Sequence, residues 1–139
     1  MSCIFCRIIR GEIPAQVVAR DEGATAFLDV SPLADGHVLV IPDRHVARLD
    51  DLEAPEAEAL FRSVVRLSGP IRDALGADGS TIGINNGEAT GQTVPHVHVH
   101  IVPRWKNDGG GSIHSIFSAG DRRDVSEVGD LLRAALDGR

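Results

Sequence analysis

The hydrophobic pattern changes period along the chain, and the changes divide it into elements. The sharpest pattern is V-P-H-V-H-V-H-I-V-P-R at residues 94–104, where His96, His98 and His100 alternate with Val97, Val99 and Ile101. Strict period two, rich in β-branched residues, predicts a strand. Alternate strand side chains leave on opposite faces, so the three imidazoles share one face and the three aliphatic groups share the other. The aliphatic face belongs in a core. Three adjacent buried imidazoles would each need polar partners, so the imidazole face calls for a different reason to exist. Its rings recur roughly every 6.8 Å, two strand steps. That spacing suits a row reading successive parts of one ligand, or a pair gripping a metal.

Elsewhere the period switches between helix and strand. Residues 3–10 carry Ile4, Phe5, Ile8 and Ile9 at helical spacing, closed by Gly11. Residues 16–19 and 25–28 read as strands joined by a turn at Asp21, Glu22 and Gly23. Residues 29–35 form a loop, and 37–41 a largely buried strand ended by Pro42. One long helix starts near Pro55 and runs to Leu75, with Ala57, Leu60, Phe61, Val64, Leu67, Ser68 and Ile71 along one stripe. Gly69-Pro70 predicts a kink in it. Residues 81–85 read as a strand, and 86–93 as a glycine-containing loop leading into the histidine row. Val125, Val128, Leu131, Leu132, Ala135 and Leu136 make a terminal amphipathic helix.

Composition narrows the class. A chain of 139 residues with 42% hydrophobic and 24% charged residues fits one globular domain. No apolar run is long enough to span a bilayer and no signal-peptide pattern opens at Met1, so a cytoplasmic location without membrane association is expected. A net charge of −6 argues against binding a nucleic acid strand through a basic face. Any bound phosphate must be held by local donors.

Several constellations carry chemistry, and each has a plainer reading. H-x-H on a strand is a good metal pair, and from spacing alone metal binding and catalysis fit equally. Neutral imidazole is a competent nucleophile toward phosphorus, and a neighbouring imidazole can move a proton near neutral pH. In the loop 85–93, Gly91 permits close backbone approach while Gln92 and Thr93 offer donors to phosphate oxygens. Alone it is an ordinary strand connection; beside the histidine row, phosphate binding becomes the better reading. Cys3-x-x-Cys6 fits metal or redox chemistry, and the lack of a surrounding thioredoxin-like βαβ pattern weighs against redox. His37 and His45 each read as surface or hydrogen-bonded histidines, and His114 carries no pattern. Asp29 caps a turn or accepts from a sugar diol.

H-V-H-V-H-I-V at residues 96–102 resembles the signature of the histidine triad family at every position. The likeness extends through Gly91-Gln92-Thr93-Val94, Gly36-His37-Val38-Leu39-Val40-Ile41-Pro42, Phe27-Leu28-Asp29-Val30-Ser31-Pro32 and the opening residues 3–14, about three-quarters of the chain. It is most similar to the Hint-type and bacterial branch, with Fhit-type diadenosine polyphosphate hydrolases second. Uridylyltransferases of the family replace the last triad histidine with glutamine, whereas His100 is kept here.

The resemblance implies an α+β, HIT-like fold: about five antiparallel strands, one long helix and short flanking helices, forming a homodimer. The triad domain would span residues 1–110, followed by a C-terminal tail, 111–139, with a short amphipathic helix. The tail from Trp105 departs from the Trp-Pro-rich ending of Hint proteins. The resemblance further implies a purine nucleotide hydrolase or phosphoramidase. His98 would be the nucleophile, forming a nucleotidyl-histidine intermediate, and His100 would contact the phosphate and assist proton transfer. Asp29 would hold the ribose; Asn85, Gly91, Gln92 and Thr93 would line the phosphate; Ile4, Ile8, Phe27 or Leu28 would pack on the base. Cys3, Cys6, His45 and His96 would hold a structural zinc. A nucleotide-binding scaffold with incidental turnover is the reading from another class, and a plain zinc-binding structural protein a third.

Overall fold

The computed structural model describes residues 2–118 and 120–138. Helix α1 (Ile4–Ile9) ends at Gly11, whose φ of +72° suits glycine. Strands β1 (Val17–Asp21) and β2 (Ala24–Leu28) form a hairpin through Glu22 and Gly23. Strand β3 (Val38–Pro42), helix α2 (Ala54–Ala74), strand β4 (Gly79–Gly83), strand β5 (Val99–Arg104) and helix α3 (Val125–Leu136) follow. The five strands make one antiparallel sheet in the order β1-β2-β3-β5-β4. This is the α+β architecture that the resemblance to the histidine triad family implies.

Period-two alternation assigns the two faces. Ala24 and Ala26 of β2, Val38 and Val40 of β3, and Val97, Val99 and Ile101 around β5 pack with Leu60, Val64 and Leu67 of α2. The intervening positions point the other way. Phe27, Leu39 and Ile41 pack with Phe5 and Ile8 of α1. The long helix packs against β2, β3, β4 and β5 on one face, while the six-residue α1 covers only part of the other. His96 and His98 lie on the α1 side, both against Phe5.

Helix α2 opens on a capping box between Glu53 and Glu56 with Pro55 in the first turn. It runs uninterrupted through Gly69 and Pro70, where the sequence predicts a kink. Pro70 is exposed, and its missing N–H removes one hydrogen bond from the helix.

The histidine segment departs from expectation in one respect. The predicted strand over 94–104 is a strand only from Val99 onward. Pro95 offers no N–H to a ladder. Val97 N donates instead to Val46 O at 2.7 Å, and His96 N turns back to Val94 O at 2.8 Å. On the facing strand, the Pro42 carbonyl accepts from the His96 ring rather than from a backbone N–H. The alternation of side chains still survives through this irregular stretch.

The terminal helix forms where predicted, with Asp124 accepting from Ser126 N and Glu127 N as its cap. It has no buried residue, and Leu131, Leu132 and Leu136 are exposed. Among the described residues, no helix is long and apolar enough to cross a membrane.

Candidate functional site

Two buried imidazoles, His96 and His98, and the half-buried His100 follow one another on the α1 side of the sheet, and hydrogen bonding fixes which nitrogen of each is left free. His96 is fully buried, and its Nε2 lies 2.8 Å from the Pro42 carbonyl. A carbonyl only accepts, so Nε2 carries the proton and Nδ1 presents a lone pair. His98 reverses the arrangement. Its Nδ1 lies 2.7 Å from the His96 carbonyl, so Nδ1 is protonated and Nε2 holds the lone pair. His100 takes its tautomer from His37. Leu33 N donates to His37 Nδ1 at 3.1 Å, which leaves the proton on His37 Nε2. That nitrogen donates to His100 Nδ1 at 2.9 Å. The His100 proton is therefore on Nε2, a buried donor without a partner among the described residues.

An orphan buried donor costs about 1–3 kcal/mol. It is tolerated where a ligand supplies the acceptor, and His98 and His100 both line a cavity of about 300 Å³. Its apolar wall comes from Ile4, Phe5, Ile8, Phe27, Leu39 and Val94; its polar edge comes from Asp29, Thr93 and the two histidines. Asp29 accepts from Ser31 N at 2.8 Å through Oδ1, while Oδ2 stands 3.6 Å from His37 Nε2.

Seven of the expected substrate and catalytic residues meet at this cavity: Ile4, Ile8, Phe27, Asp29, Thr93, His98 and His100. Four do not line it. Leu28 packs toward the α2 core, as alternation along β2 requires. Asn85 is exposed outside the wall. Gly91, also exposed, closes a short 3-10 turn at φ +95°. The Gln92 amide is engaged within its loop: Oε1 accepts from Gly87 N at 2.8 Å, and Nε2 donates to Ala47 O and Val94 O. Asn86 latches the same loop to the segment before α2, accepting from Leu49 N and donating to Asp50.

Sequence reasoning missed His37, Phe5 and Leu39. Phe5 stacks edge-on against both His96 and His98. Leu39 pairs with His100 across the β3–β5 ladder, a register that no local pattern encodes. His37 is almost fully buried, and a lone histidine before an apolar strand gives no sign of a partner 63 residues away.

The remaining nitrogen of the row faces sulfur. His96 Nδ1 lies 3.6 Å from both Cys3 Sγ and Cys6 Sγ, and His45 Nδ1 lies 3.4 Å from Cys6 Sγ. These four side chains bring their donor atoms within 4.8 Å of one another. Tetrahedral zinc, about 2.3 Å from sulfur and 2.1 Å from nitrogen, sets such donors roughly 3.6 Å apart. The His96 Nε2–H bond to a carbonyl also matches the outer bond of a metal-bound imidazole. The donor set fits a closed metal site.

A family model described as HIT domain matches residues 10–107. The chain belongs to the HIT domain family. An uncharacterized HIT-like protein of Methanocaldococcus jannaschii is 48% identical over 108 residues, 77% of this chain and 82% of that protein. Adenosine 5'-monophosphoramidase of Schizosaccharomyces pombe is 38% identical over 104 residues, 75% of each chain. The asymmetrical bis(5'-nucleosyl)-tetraphosphatase of the same yeast is 48% identical over 96 residues, 69% of this chain and 53% of that one. A HIT family structure from Bacillus subtilis superposes with a TM-score of 0.86 at 34% identity, covering 100% of this chain and 98% of that one. A zinc-bound histidine triad family protein from Mycobacterium smegmatis gives 0.74 at 39% identity, covering 98% and 94%.

In this HIT domain, burial makes His37 and His100 poor bases. It lowers the pKa of His37, partly opposed by the Asp29 carboxylate. His100 is pushed down to about 4, by burial first and then by His98 and His37. Both are neutral at pH 7. Between pH 6.5 and 4 the unfolded chain binds protons that the folded protein refuses, so this stability is full above pH 6.5 and is lost as pH falls. Chemical denaturation should therefore show stability declining over that window, and declining less steeply in His100→Gln. Parallel pH profiles for the two proteins would contradict the assignment.

Proposed function

We propose that this HIT protein is a purine nucleotide hydrolase of phosphoramidase type, releasing a nucleoside monophosphate through a nucleotidyl-His98 intermediate. The observation that carries the reading is the opposed tautomers of adjacent imidazoles. His98 presents a lone pair on Nε2, and His100 presents a proton on Nε2, beside one cavity. A phosphorus atom held there would meet a nucleophile from His98 and a donor to its oxygens from His100. As the N–P bond forms, the bond from phosphorus to the leaving group breaks, the departing amine takes a proton from solvent, and positive charge builds on the His98 ring. The His96 carbonyl, already accepting from Nδ1–H, would stabilise that charge. Water then displaces the imidazole from phosphorus in a second, similar step.

The apolar wall of Ile4, Ile8 and Phe27 suits a purine, and Asp29 at the edge suits ribose hydroxyls. The relatives named as a monophosphoramidase and a tetraphosphatase support the reaction class while differing in leaving group. We assign phosphate contact to Thr93 and to backbone at Gly91, with Gln92 shaping the loop and Asn85 reaching it only through movement. A Fhit-like dinucleoside polyphosphatase is the nearest alternative within the class.

In this reading Cys3, Cys6, His45 and His96 hold zinc, which supplies no open coordination position and pins α1 over the sheet. The homodimer expected from the resemblance would use the exposed Phe61 and Val65 on α2 together with the unpaired edge of β4, where Ile82 is exposed.

Replacing His98 with Ala should reduce hydrolysis of an adenosine phosphoramidate by orders of magnitude while AMP still binds within a few-fold of wild type. Near-normal turnover in His98→Ala would overturn the nucleophile. Tight binding with negligible turnover in the intact protein would favour the scaffold reading. Sedimentation at micromolar concentration should give a dimer, and a monomer there would remove that part of the proposal.

A further inference from the structure

A second cavity, of about 590 Å³, opens directly onto the cysteine pair, and the proposed hydrolysis has no use for it. Its walls include Cys3, Cys6, His45, Ile4 and Thr93. Ile4, Thr93 and Val94 also line the nucleotide cavity, so the two spaces share a wall. Here His45 is exposed, both cysteines are only half-buried, and a small molecule can reach the sulfurs.

We infer that Cys3 and Cys6 form an oxidation site for small hydroperoxides, closing to a disulfide that expels the metal and loosens the nucleotide cavity. The geometry allows closure without rearranging the fold. Cys3 is the cap of α1 and Cys6 lies one turn later. Residues so placed are roughly 5 Å apart at Cα, inside the span of about 4.4–6.8 Å that a disulfide tolerates.

The chemistry balances with the peroxide as oxidant. One thiolate attacks a peroxide oxygen; the O–O bond breaks, a sulfenic acid forms, and the departing alkoxide takes a proton to leave as an alcohol (water, for hydrogen peroxide). The second thiolate attacks the sulfenic sulfur; the S–S bond forms, and hydroxide takes a proton to leave as water. The two sulfurs lose two electrons and the peroxide gains them. With both sulfurs in a disulfide, only His45 and His96 remain as donors, too few to retain zinc.

The consequence runs through α1. That helix is six residues long, too short to hold its shape alone. It supplies Ile4, Phe5 and Ile8 to the nucleotide cavity. The cluster ties its first turn to His45 and His96 on the body of the fold. Oxidation cuts that tie while leaving His98 and His100 in place. The expected result is weaker nucleotide binding in a folded protein, restored by reductant and zinc together.

The inference rests on the zinc and nucleotide readings above, so untreated protein is measured first for zinc content and AMP affinity. Hydrogen peroxide is then added, with zinc release followed by a chromogenic chelator, thiol state by intact and peptide mass, and AMP affinity by calorimetry. One zinc per chain should leave in step with a mass loss of two hydrogens mapped to Cys3–Cys6. AMP affinity should fall about tenfold, equivalent to about 1.4 kcal/mol, and recover on reduction with added zinc. Retained zinc, oxidation only to sulfinic or sulfonic acid, or unchanged AMP affinity after full disulfide formation would each overturn the inference. Untreated protein lacking zinc overturns it together with the metal reading. Untreated protein that binds zinc but no AMP overturns the nucleotide reading and the coupling to the cavity.

Discussion

The structure depends on satisfying four imidazole rings packed side by side on one face of a sheet. A neutral ring carries one donor and one acceptor, and leaving either buried and unpaired costs about 1–3 kcal/mol. His96, His98 and His37 place one nitrogen each on backbone, against the Pro42 carbonyl, the His96 carbonyl and the Leu33 N–H. Fixing one nitrogen fixes the role of the other. His96 is left facing sulfur, His98 with a free lone pair, and His37 with a donor that sets His100. Chemical differentiation of three apparently equivalent residues is thus a consequence of main-chain hydrogen bonding, with burial keeping His37 and His100 neutral.

The same bonds shape the fold around the row. Because the Pro42 carbonyl serves the His96 ring, the β3–β5 ladder stops at Val40–Val99. The chain between Pro95 and His98 is then free to anchor elsewhere, through Val97 N to Val46 O. That anchor holds residues 45–47 beside the triad, which brings His45 to the cysteines and offers the Ala47 carbonyl to Gln92. The Gly87–Gln92 loop, the cysteine–histidine cluster and the histidine row are therefore coupled through a few hydrogen bonds. On the opposite face, Val97, Val99 and Ile101 lock the segment under α2 and give those bonds a rigid backing.

Much of this was legible in the sequence, for reasons that differ by residue. Period two separates the imidazoles from Val97, Val99 and Ile101, and that separation holds even where the strand geometry fails. Local spacing places α1, the β1–β2 hairpin and the long α2 at or within a few residues of their observed bounds. Residues whose role depends on strand register were not legible. His37 and Leu39 meet His100 only because β3 pairs with β5, and Leu28 turns from the cavity because alternation along β2 gives that face to Phe27. Gln92 was legible as a donor, but the choice between phosphate and its own loop depends on where the Gly87 N–H and Ala47 carbonyl come to lie. The cysteine pair left metal and redox chemistry open, and the fold brings it to two imidazoles.

Hydrogen bonds give the triad members their different roles. Proton placement on imidazole nitrogens is read directly by nitrogen-15 NMR of histidine-labelled protein at neutral pH. His98 should be the Nδ1–H tautomer, with His37, His96 and His100 as Nε2–H. A His98 ring protonated at Nε2, or a His100 ring protonated at Nδ1, would contradict that placement, since the first would lack the lone pair proposed to attack phosphorus and the second would lack the proposed donor.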